Sequence, residues 1–261
     1  MDLNLENKTA LICGSTQGIG LETAKTLANL GANCILIART ESKLQKACKE
    51  LKASQGQKHS YLVADFSNPS ALKVIIENFA QTNKVNILIN NTGGPKGGPI
   101  VSAQTDEFIN TFNQHLICNH ILSQALIPGM KELGYGRIVN VISTSVKQPL
   151  DGLGVSNTIR GAVANWSKTL ANELGQFNIT VNNVLPGATD TVRLKEIIEN
   201  KALKTGQSTE EIKTAMANQS PMKRIAQPEE VANAICFLCS PAASYINGIN
   251  VPVDGGRTKS L

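Results

Sequence analysis

The chain has 261 residues, of which 41% are hydrophobic and 17% are charged, enough apolar material to bury one sizeable core. Its formal net charge is +5, and only 4% of its residues are aromatic. Because the positive charges form no dense Lys/Arg run, this composition argues against a nucleic-acid-binding surface. No apolar run approaches the roughly 18 residues of a membrane span, and no signal-peptide pattern opens the chain. We therefore expect one cytoplasmic domain over residues 1–261 that binds small anionic ligands and neither nucleic acid nor membrane.

Short β-branched runs alternate along the chain with longer amphipathic patterns. The predicted strands cover residues 9–13, 33–38, 60–64, 86–90, 137–142, 180–185 and 249–253. The predicted helices cover residues 18–30, 41–55, 69–82, 104–133, 155–176 and 229–239. Most of the strands are apolar on both faces, which is typical of a parallel sheet covered by helices. The pattern predicts an α/β fold with a doubly wound, seven-stranded parallel sheet and helices on both faces.

A glycine-rich turn, Gly14-Ser15-Thr16-Gln17-Gly18-Ile19-Gly20, follows the first predicted strand and leads directly into a helix. Glycines here allow a tight turn and a close approach of the backbone to a pyrophosphate, whose charge is stabilised by the helix N-terminus. Three glycines alone are a weak signal, but their place between a strand and a helix strengthens it. The turn predicts a Rossmann-type dinucleotide-binding fold.

The end of the second predicted strand decides between the two nicotinamide dinucleotides. It reads Ala38-Arg39-Thr40, with a guanidinium and no carboxylate. Because Arg grips a phosphate with two parallel hydrogen bonds, we expect NADP(H) in preference to NAD(H). The alternative is that Arg39 is a solvated loop residue and Glu41 holds the ribose of NAD.

With these motifs in place, the chain resembles the short-chain dehydrogenase/reductase family over nearly its whole length. The matching features are the glycine pattern G-x-x-x-G-x-G at 14–20, Asp65 after the third strand, NNTG at 90–93, PGATDT at 186–191 and the closing segment 228–256. The resemblance implies cofactor contacts at Gly14, Ser15, Gln17, Gly18, Ile19, Gly20, Arg39, Thr40, Asp65, Phe66, Asn91, Gly93, Arg160, Pro186, Gly187, Thr189 and Thr191. The general look is nearest to 3-oxoacyl-(acyl carrier protein) reductases.

The family's catalytic pattern is only partly present. The family uses a Ser at a strand end, a Tyr as proton donor, a Lys four residues after it, and an Asn in the fourth helix. Ser143 matches the Ser, but Ser156 and Arg160 stand where Tyr and Lys are expected, and His115 stands at the position of Asn. The four candidate catalytic positions are therefore Ser143, Ser156, Arg160 and His115, and three of them depart from the family.

The replacements change the chemistry available. A Tyr hydroxyl has a pKa near 10 that a neighbouring cation can lower, whereas an alkyl hydroxyl such as that of Ser156 ionises far less readily. Arg160 lies on the same helical face as Ser156 and can still present donors to the nicotinamide ribose, but its guanidinium stays charged and relays no proton. We therefore expect the replacements to preserve cofactor binding and to abolish proton transfer by the family's route.

Two functions from different classes remain open. In the first, the protein is an active NADP(H)-dependent oxidoreductase that reduces a carbonyl or oxidises an alcohol, and the proton comes from water, His115, Lys147 or Asp151. The simpler interpretations are that His115 is a hydrogen-bonded helix residue and that Lys147 and Asp151 belong to a solvated loop. In the second, the protein is a catalytically inactive dinucleotide-binding protein, a sensor or a partner subunit.

The segment 192–224 is a predicted helical substrate lid. It holds seven Lys/Arg against four Glu, a balance that would steer an acidic or phosphate-bearing substrate such as a 3-oxoacyl thioester, or that simply marks the solvated face of two helices. The resemblance further suggests a homotetramer or homodimer. Cys236 and Cys239 form a C-x-x-C pair, but they fall in an apolar helical pattern without a second ligand pair, so we expect buried thiols and no metal site.

Overall fold

Seven parallel strands form one sheet in the computed structural model, which describes residues 1–54 and 56–260. The strands are β1 (Thr9–Cys13), β2 (Asn33–Ala38), β3 (Ser60–Val63), β4 (Ile87–Asn90), β5 (Gly136–Val141), β6 (Ile179–Pro186) and β7 (Asn250–Val253). Their order across the sheet is β3-β2-β1-β4-β5-β6-β7. The predicted doubly wound α/β fold is confirmed, since strand order reverses between β1 and β4.

The helices cover both faces of this sheet. They are α1 (Gly18–Asn29), α2 (Glu41–Lys49), α3 (Pro69–Thr82), α4 (Thr105–Phe112), α5 (Cys118–Leu133), α6 (Gly154–Leu174), α7 (Val192–Thr205), α8 (Thr209–Asn218) and α9 (Pro228–Cys239). Alternate residues of β1 enter opposite cores: Ala10 and Ile12 pack with α1, α2 and α9, whereas Leu11 and Cys13 pack with α3, α5 and α6. Strands apolar on both faces are therefore explained by a core on each side.

Two predicted helices differ from the observed ones. The helix expected over 41–55 ends at Lys49, so residues 50–54 were predicted wrongly, and Gln55 lies outside the described residues. Leu51 still packs into the core, but Lys52, Ala53 and Ser54 after it are exposed, so no buried apolar face holds a further turn. The helix expected over 104–133 is interrupted by a π-helical turn, Asn113–Ile117, between α4 and α5.

Other elements lie where the sequence placed them. The predicted lid segment, 192–224, contains α7 and α8. Cys236 and Cys239 are buried in α9, and burial raises the pKa of the Cys239 thiol to about 12, so both behave as core side chains, as expected. Within the described residues, none of the helices combines the length and apolar character that crossing a bilayer requires.

Candidate active site

A cleft of about 660 Å³ lies at the carboxyl ends of the strands, at the point where strand order reverses, the usual ligand site of open α/β sheets. Most of the residues predicted for the site line it: Gly14, Gln17, Gly18, Ile19, Arg39, Thr40, Asp65, Phe66, Asn91, Gly93, Ser143, Ser156, Arg160, Pro186, Gly187 and Thr191. The fold therefore brings together segments that are separated by more than a hundred residues in sequence.

The glycine turn after β1 has the shape that a bound pyrophosphate needs. Gly14 adopts a φ of +58°, and a Cβ on it would lie 2.4 Å from the carbonyl oxygen of Asn91. A Cβ on Gly20 would lie 2.3 Å from the carbonyl oxygen of Gly14. Neither position tolerates a side chain, so the backbone stays open toward the N-terminus of α1, where N–H groups are free to bind an anion. The turn fits a dinucleotide.

Four predicted site residues do not line the cleft: Ser15, Gly20, Thr189 and His115. The hydroxyl of Ser15 is buried and accepts a hydrogen bond from the Ile37 N–H at 3.2 Å, which ties the turn to β2. The hydroxyl of Thr189 donates to the Gly187 carbonyl at 3.1 Å. These side chains shape the backbone that lines the cleft and have no surface in it themselves.

Asn91 lines the cleft and also holds the glycine turn. Its side-chain amide donates to the carbonyl oxygens of Cys13 and Gly14, at 3.2 and 3.3 Å. These bonds join the end of β4 to the end of β1 across the point where strand order reverses. Asn91 therefore fixes the width of the cleft where a pyrophosphate would lie.

Two cations line the cleft just after β2. They are Arg39, directly after the strand, and Lys43 in the first turn of α2, and the N-cap residue of that helix, Thr40, lines the cleft as well. A phosphate at this place would meet two positive charges and a helix N-terminus. Glu41 does not line the cleft, and its carboxylate accepts a hydrogen bond from the Tyr61 hydroxyl at 3.0 Å. The arrangement favours a ribose phosphate over an unmodified ribose.

Asp65 lies near these cations, after β3, which pairs directly with β2. Its carboxylate accepts a hydrogen bond from the Ser67 N–H at 2.9 Å. That bond, with a smaller contribution from the charge of Arg39, holds the pKa of Asp65 below its usual value. Asp65 is therefore an anionic hydrogen-bond acceptor that the exocyclic amine of a bound adenine could reach.

At the opposite end of the cleft, Ser143, Ser156 and Arg160 converge, as the sequence predicts. Ser143 follows β5 in extended conformation, and its hydroxyl oxygen accepts the Ser145 N–H at 3.1 Å. This bond leaves the hydroxyl hydrogen free to donate to a substrate oxygen. Ser156 and Arg160 lie one turn apart on α6 and both line the cleft. The site can therefore polarise a carbonyl with a hydroxyl and a nearby positive charge.

His115, which stands where the resembled family has Asn, lies in the π-helical turn and is 1% exposed. Its Nδ1 and the Thr92 hydroxyl share a hydrogen bond of 2.6 Å. Burial, reinforced by the nearby charge of Arg160, holds the pKa of His115 well below its usual range. His115 is therefore neutral at working pH and is separated from the cleft by Thr92, which lines it.

Among the described residues, the other two proposed proton donors also lie outside the cleft. Lys147 is half-buried and Asp151 is exposed, both in the loop before α6, and neither contributes to the lining. Instead the π-helical turn presents Gln114 to the cleft. A π-helical turn shifts the register of the side chains after it, which no feature of the sequence signals.

The lid segment forms part of the cleft mouth. Val192, Arg193 and Ile197, on α7, line it. The guanidinium of Arg193 donates to the carbonyl oxygens of Gly94 and Pro95, at 3.3 and 2.8 Å, which connects the lid to the segment after β4. Sequence reasoning did not single out these residues, nor Lys43 or Gln114. Lys43 could have been found from the sequence, since it lies in the first turn of α2, directly after the Ala38-Arg39-Thr40 segment.

Comparison with known proteins agrees with this architecture. A family model described as enoyl-(acyl carrier protein) reductase matches residues 14–258. The 3-oxoacyl-[acyl-carrier-protein] reductase of Pseudomonas aeruginosa is 32% identical over 261 residues, which cover 99% of this chain and 100% of that protein. The similarity therefore extends across the whole fold and is not limited to the glycine turn.

Solved structures are similar over the same extent. The L-sorbose reductase of Gluconobacter frateurii, solved in complex with NADPH and L-sorbose, has a TM-score of 0.93 and 32% identity, with 100% of both chains covered. A structure described as a short chain dehydrogenase/reductase family protein has a TM-score of 0.82 and 30% identity, covering 97% of this chain and 98% of that one.

Proposed function

This chain belongs to the short-chain dehydrogenase/reductase family, and on that premise we propose that it is an NADP(H)-dependent oxidoreductase that reduces a carbonyl or oxidises the corresponding alcohol. The observation that carries the proposal is the single cleft in which the glycine turn, Arg39 and the Ser143–Arg160 end occur together. Such a cleft accommodates a dinucleotide along its length and a substrate at one end.

The cofactor's binding is assigned to specific residues. The glycine turn and the N-terminus of α1 would hold the pyrophosphate, and Arg39 with Lys43 would hold the ribose 2′-phosphate. Asp65 would accept from the adenine amine. Pro186, Gly187 and Thr191 line the cleft beyond β6, beside Ser143 and Arg160, so they would hold the nicotinamide. NADP(H), once bound, supplies or accepts the hydride.

The substrate's binding is assigned to the other end of the cleft. Ser143 would donate its hydroxyl hydrogen to the substrate carbonyl oxygen, and Arg160 would stabilise the negative charge that develops there during hydride addition. Ser156 adds a small hydroxyl and leaves room. No histidine, cysteine or tyrosine is among the described residues that line the cleft, and burial holds the pKa of His115 well below its usual range. The proton would therefore come from water in this scheme, and His115 would act by filling and ordering the wall behind Thr92.

A second function is favoured by that same observation. A dinucleotide-binding protein without dehydrogenase activity needs no proton donor in the cleft, and Ser156 and His115 provide none near neutral pH. In that role the chain would be a sensor or a partner subunit whose surface responds to bound NADPH. The two functions share the cofactor assignment and differ only in turnover.

The experiment that separates them follows NADPH absorbance with the purified protein and a panel of carbonyl compounds, including acetoacetyl-CoA as a 3-oxoacyl thioester. Consumption that is lost in Ser143→Ala, with NADPH binding retained, supports the oxidoreductase. NADPH binding without consumption across the panel supports the non-catalytic function. Absence of NADPH binding contradicts both.

Two further assignments are proposals on the same premise. The positive balance of the lid, with Arg193 at the cleft mouth, supports an acidic or phosphate-bearing substrate, of which a 3-oxoacyl thioester is one case. A homotetramer or homodimer is proposed with α4, α5 and α6 at the contact between subunits. Cross-linking or light scattering of the purified protein tests the second assignment.

A further inference from the structure

Helices α7 and α8, which make up most of the lid segment, have a hydrophobic core of their own. Leu194, Ile198 and Ile212 are buried against one another in a small cluster. This cluster is separate from the two large cores that cover the faces of the sheet. The two helices therefore hold together without help from the main body of the fold.

The chain enters and leaves this pair of helices at a narrow base. The Asp190 N–H donates to the Ala226 carbonyl at 2.8 Å, and the Ala226 N–H donates to the Ala188 carbonyl at 2.9 Å. After α8, the Ser220 hydroxyl donates to the Gly255 carbonyl at 2.7 Å, which fixes the returning chain to the C-terminal segment. A packed unit on such a base is suited to hinge motion.

Arg193, in the first turn of α7, makes the contact that opposes this motion. Its guanidinium donates to the carbonyl oxygens of Gly94 and Pro95, at 3.3 and 2.8 Å. Among the described hydrogen bonds, those of Arg193 alone join the two helices to a part of the fold beyond residues 188–226. Donor and acceptors all belong to the chain, so these bonds require no ligand.

The sheet order shows what the two bonds span. Gly94 and Pro95 follow β4, Arg193 follows β6, and β5 lies between those strands. All three residues line the same cleft as Ser143, which follows β5. The bonds therefore cross the width of the cleft at the carboxyl end of β5, the end to which the substrate is assigned.

The acceptors of these bonds are on a fixed part of the molecule. A little further along the segment after β4, the Gly98 N–H donates to the Gly152 carbonyl at 2.7 Å, and the Gly154 N–H donates to the Gly98 carbonyl at 3.2 Å. Gly154 is the first residue of α6. The segment is thus anchored to the main body, and the lid is the side that moves when the bonds break.

We propose that Arg193 is a latch: α7 and α8 swing about their base, and a ligand enters or leaves the Ser143 end of the cleft only after Arg193 releases the two carbonyl oxygens. The ligands are the nicotinamide half of NADPH and the carbonyl compound, so the proposal rests on the proposed oxidoreductase function for what passes the latch. Arg193 is a positioning residue, because it acts through the lid and contacts none of the reacting atoms in this scheme.

A latch and a direct ligand contact change rate constants differently. Release of a latch speeds association and dissociation alike, whereas loss of a contact to the ligand mainly speeds dissociation. The Arg193 side chain is 42% exposed, so we count the net loss of about one hydrogen bond from a charged donor in Arg193→Gln. Both rate constants for NADPH should then rise about 10-fold, while Kd changes less than about 3-fold. Stopped-flow NADPH fluorescence measures association directly and dissociation by displacement with excess NADP⁺.

Lys195→Gln is the matched control. Lys195 is exposed two residues further along α7 and does not line the cleft, so its replacement removes the same charge from the lid and leaves the latch intact. Both rate constants should stay within about 2-fold of the unsubstituted protein. Arg193→Lys keeps the charge without the planar fork and should give an intermediate rise. Circular dichroism establishes that each variant is folded, and Arg193→Lys serves if Arg193→Gln is not.

A distance measurement tests the latch without any nucleotide. Lys96, in the segment after β4, and Lys204, on α7, are exposed sites for spin labels introduced as Lys96→Cys and Lys204→Cys. Cys48 is the one natural cysteine that is not fully buried, and Cys48→Ser removes it. Pulsed electron paramagnetic resonance should show one main distance with Arg193 present and an added population at longer distance in Arg193→Gln.

The outcomes separate the latch from the function on which it rests. Unchanged rate constants in Arg193→Gln, a rise in dissociation alone, an equal effect of Lys195→Gln, or an unchanged distance distribution would each overturn the latch. If NADPH does not bind at all, the proposed function fails, and the distance measurement alone decides about the latch. If NADPH binds and no carbonyl compound is reduced, nucleotide exchange still tests it.

Discussion

Introducing a phenol at position 156 should create a proton donor in this site. Ser156 lines the cleft one turn before Arg160 on the same face of α6. A Tyr there would place its hydroxyl in a site with a buried guanidinium, whose charge lowers the pKa of a phenol from about 10 toward neutrality. A positioned general acid contributes about 10²–10⁴-fold to a reaction rate, or about 3–5 kcal/mol of barrier. We expect Ser156→Tyr to raise kcat for a neutral ketone by about that factor.

The assay is steady-state NADPH oxidation with a neutral ketone, and Ser156→Phe is the matched control. Phe fills the same volume without a hydroxyl, so it should give no increase. The pH profile provides a second measurement: a phenol must be protonated to act as the acid, so reduction by Ser156→Tyr should fall as pH rises through the lowered Tyr pKa. The unsubstituted protein should lack that decline. An equal effect of Tyr and Phe, in variants that fold and bind NADPH, would refute the reasoning.

Three other substitutions test the cofactor site and the fold. Gly14→Ala should abolish NADPH binding, because its Cβ would lie 2.4 Å from a backbone oxygen. The control, Gly134→Ala, has a similar φ of +61° in open space and should lower the free energy of unfolding only by the backbone strain, about 1–2 kcal/mol. Fluorescence titration measures NADPH binding by the two variants, and thermal melts measure their stability. Arg39→Ala should raise the Kd for NADPH about 10- to 100-fold and change the Kd for NADH little. Glu41→Ala should leave the Kd values for NADPH and NADH unchanged, and a loss of NADH binding in Glu41→Ala that exceeds its loss of NADPH binding would support the NAD alternative. Glu230→Gln should lower Tm at pH 7 and not near pH 2. The reason is that hydrogen bonds from Arg224 hold the pKa of Glu230 down to about 2. A carboxyl group with a lowered pKa stabilises the fold above the pKa it has in the unfolded chain, and this stabilisation is lost as the pH falls toward 2.

The fold could be predicted from sequence because its strands carry a signal that tertiary structure does not override. Residues of β1 and β2 are apolar on both faces, and the predicted bounds agree with the observed ones, Thr9–Cys13 and Asn33–Ala38. The predicted end of the second helix was wrong. Residues with good helix propensity continue past Lys49, but they offer no apolar face to bury, so the helix ends there. Propensity alone does not hold a turn.

The site was predictable where it depends on backbone shape and much less where it depends on local helix register. Gly14, Arg39 and Ser143 are placed by strand ends, which a sequence pattern locates well. His115 was assigned by matching segment 114–130 to the family's fourth helix, but a π-helical turn at Asn113–Ile117 changes the register of the chain there. Gln114 faces the cleft as a result, and His115 faces Thr92.

The unusual residues of this site are electrostatically connected. His115 is buried beside Arg160, and a proton on its ring would add a second positive charge where none of the described carboxylates pairs with Arg160. Burial, reinforced by the charge of Arg160, thus keeps His115 neutral, and the Thr92 hydroxyl satisfies one ring nitrogen of that neutral form. An imidazole in this state orders the wall of the cleft better than it donates a proton. Burial and the charge of Arg160 together thus argue against acid catalysis by His115 in the proposed reaction.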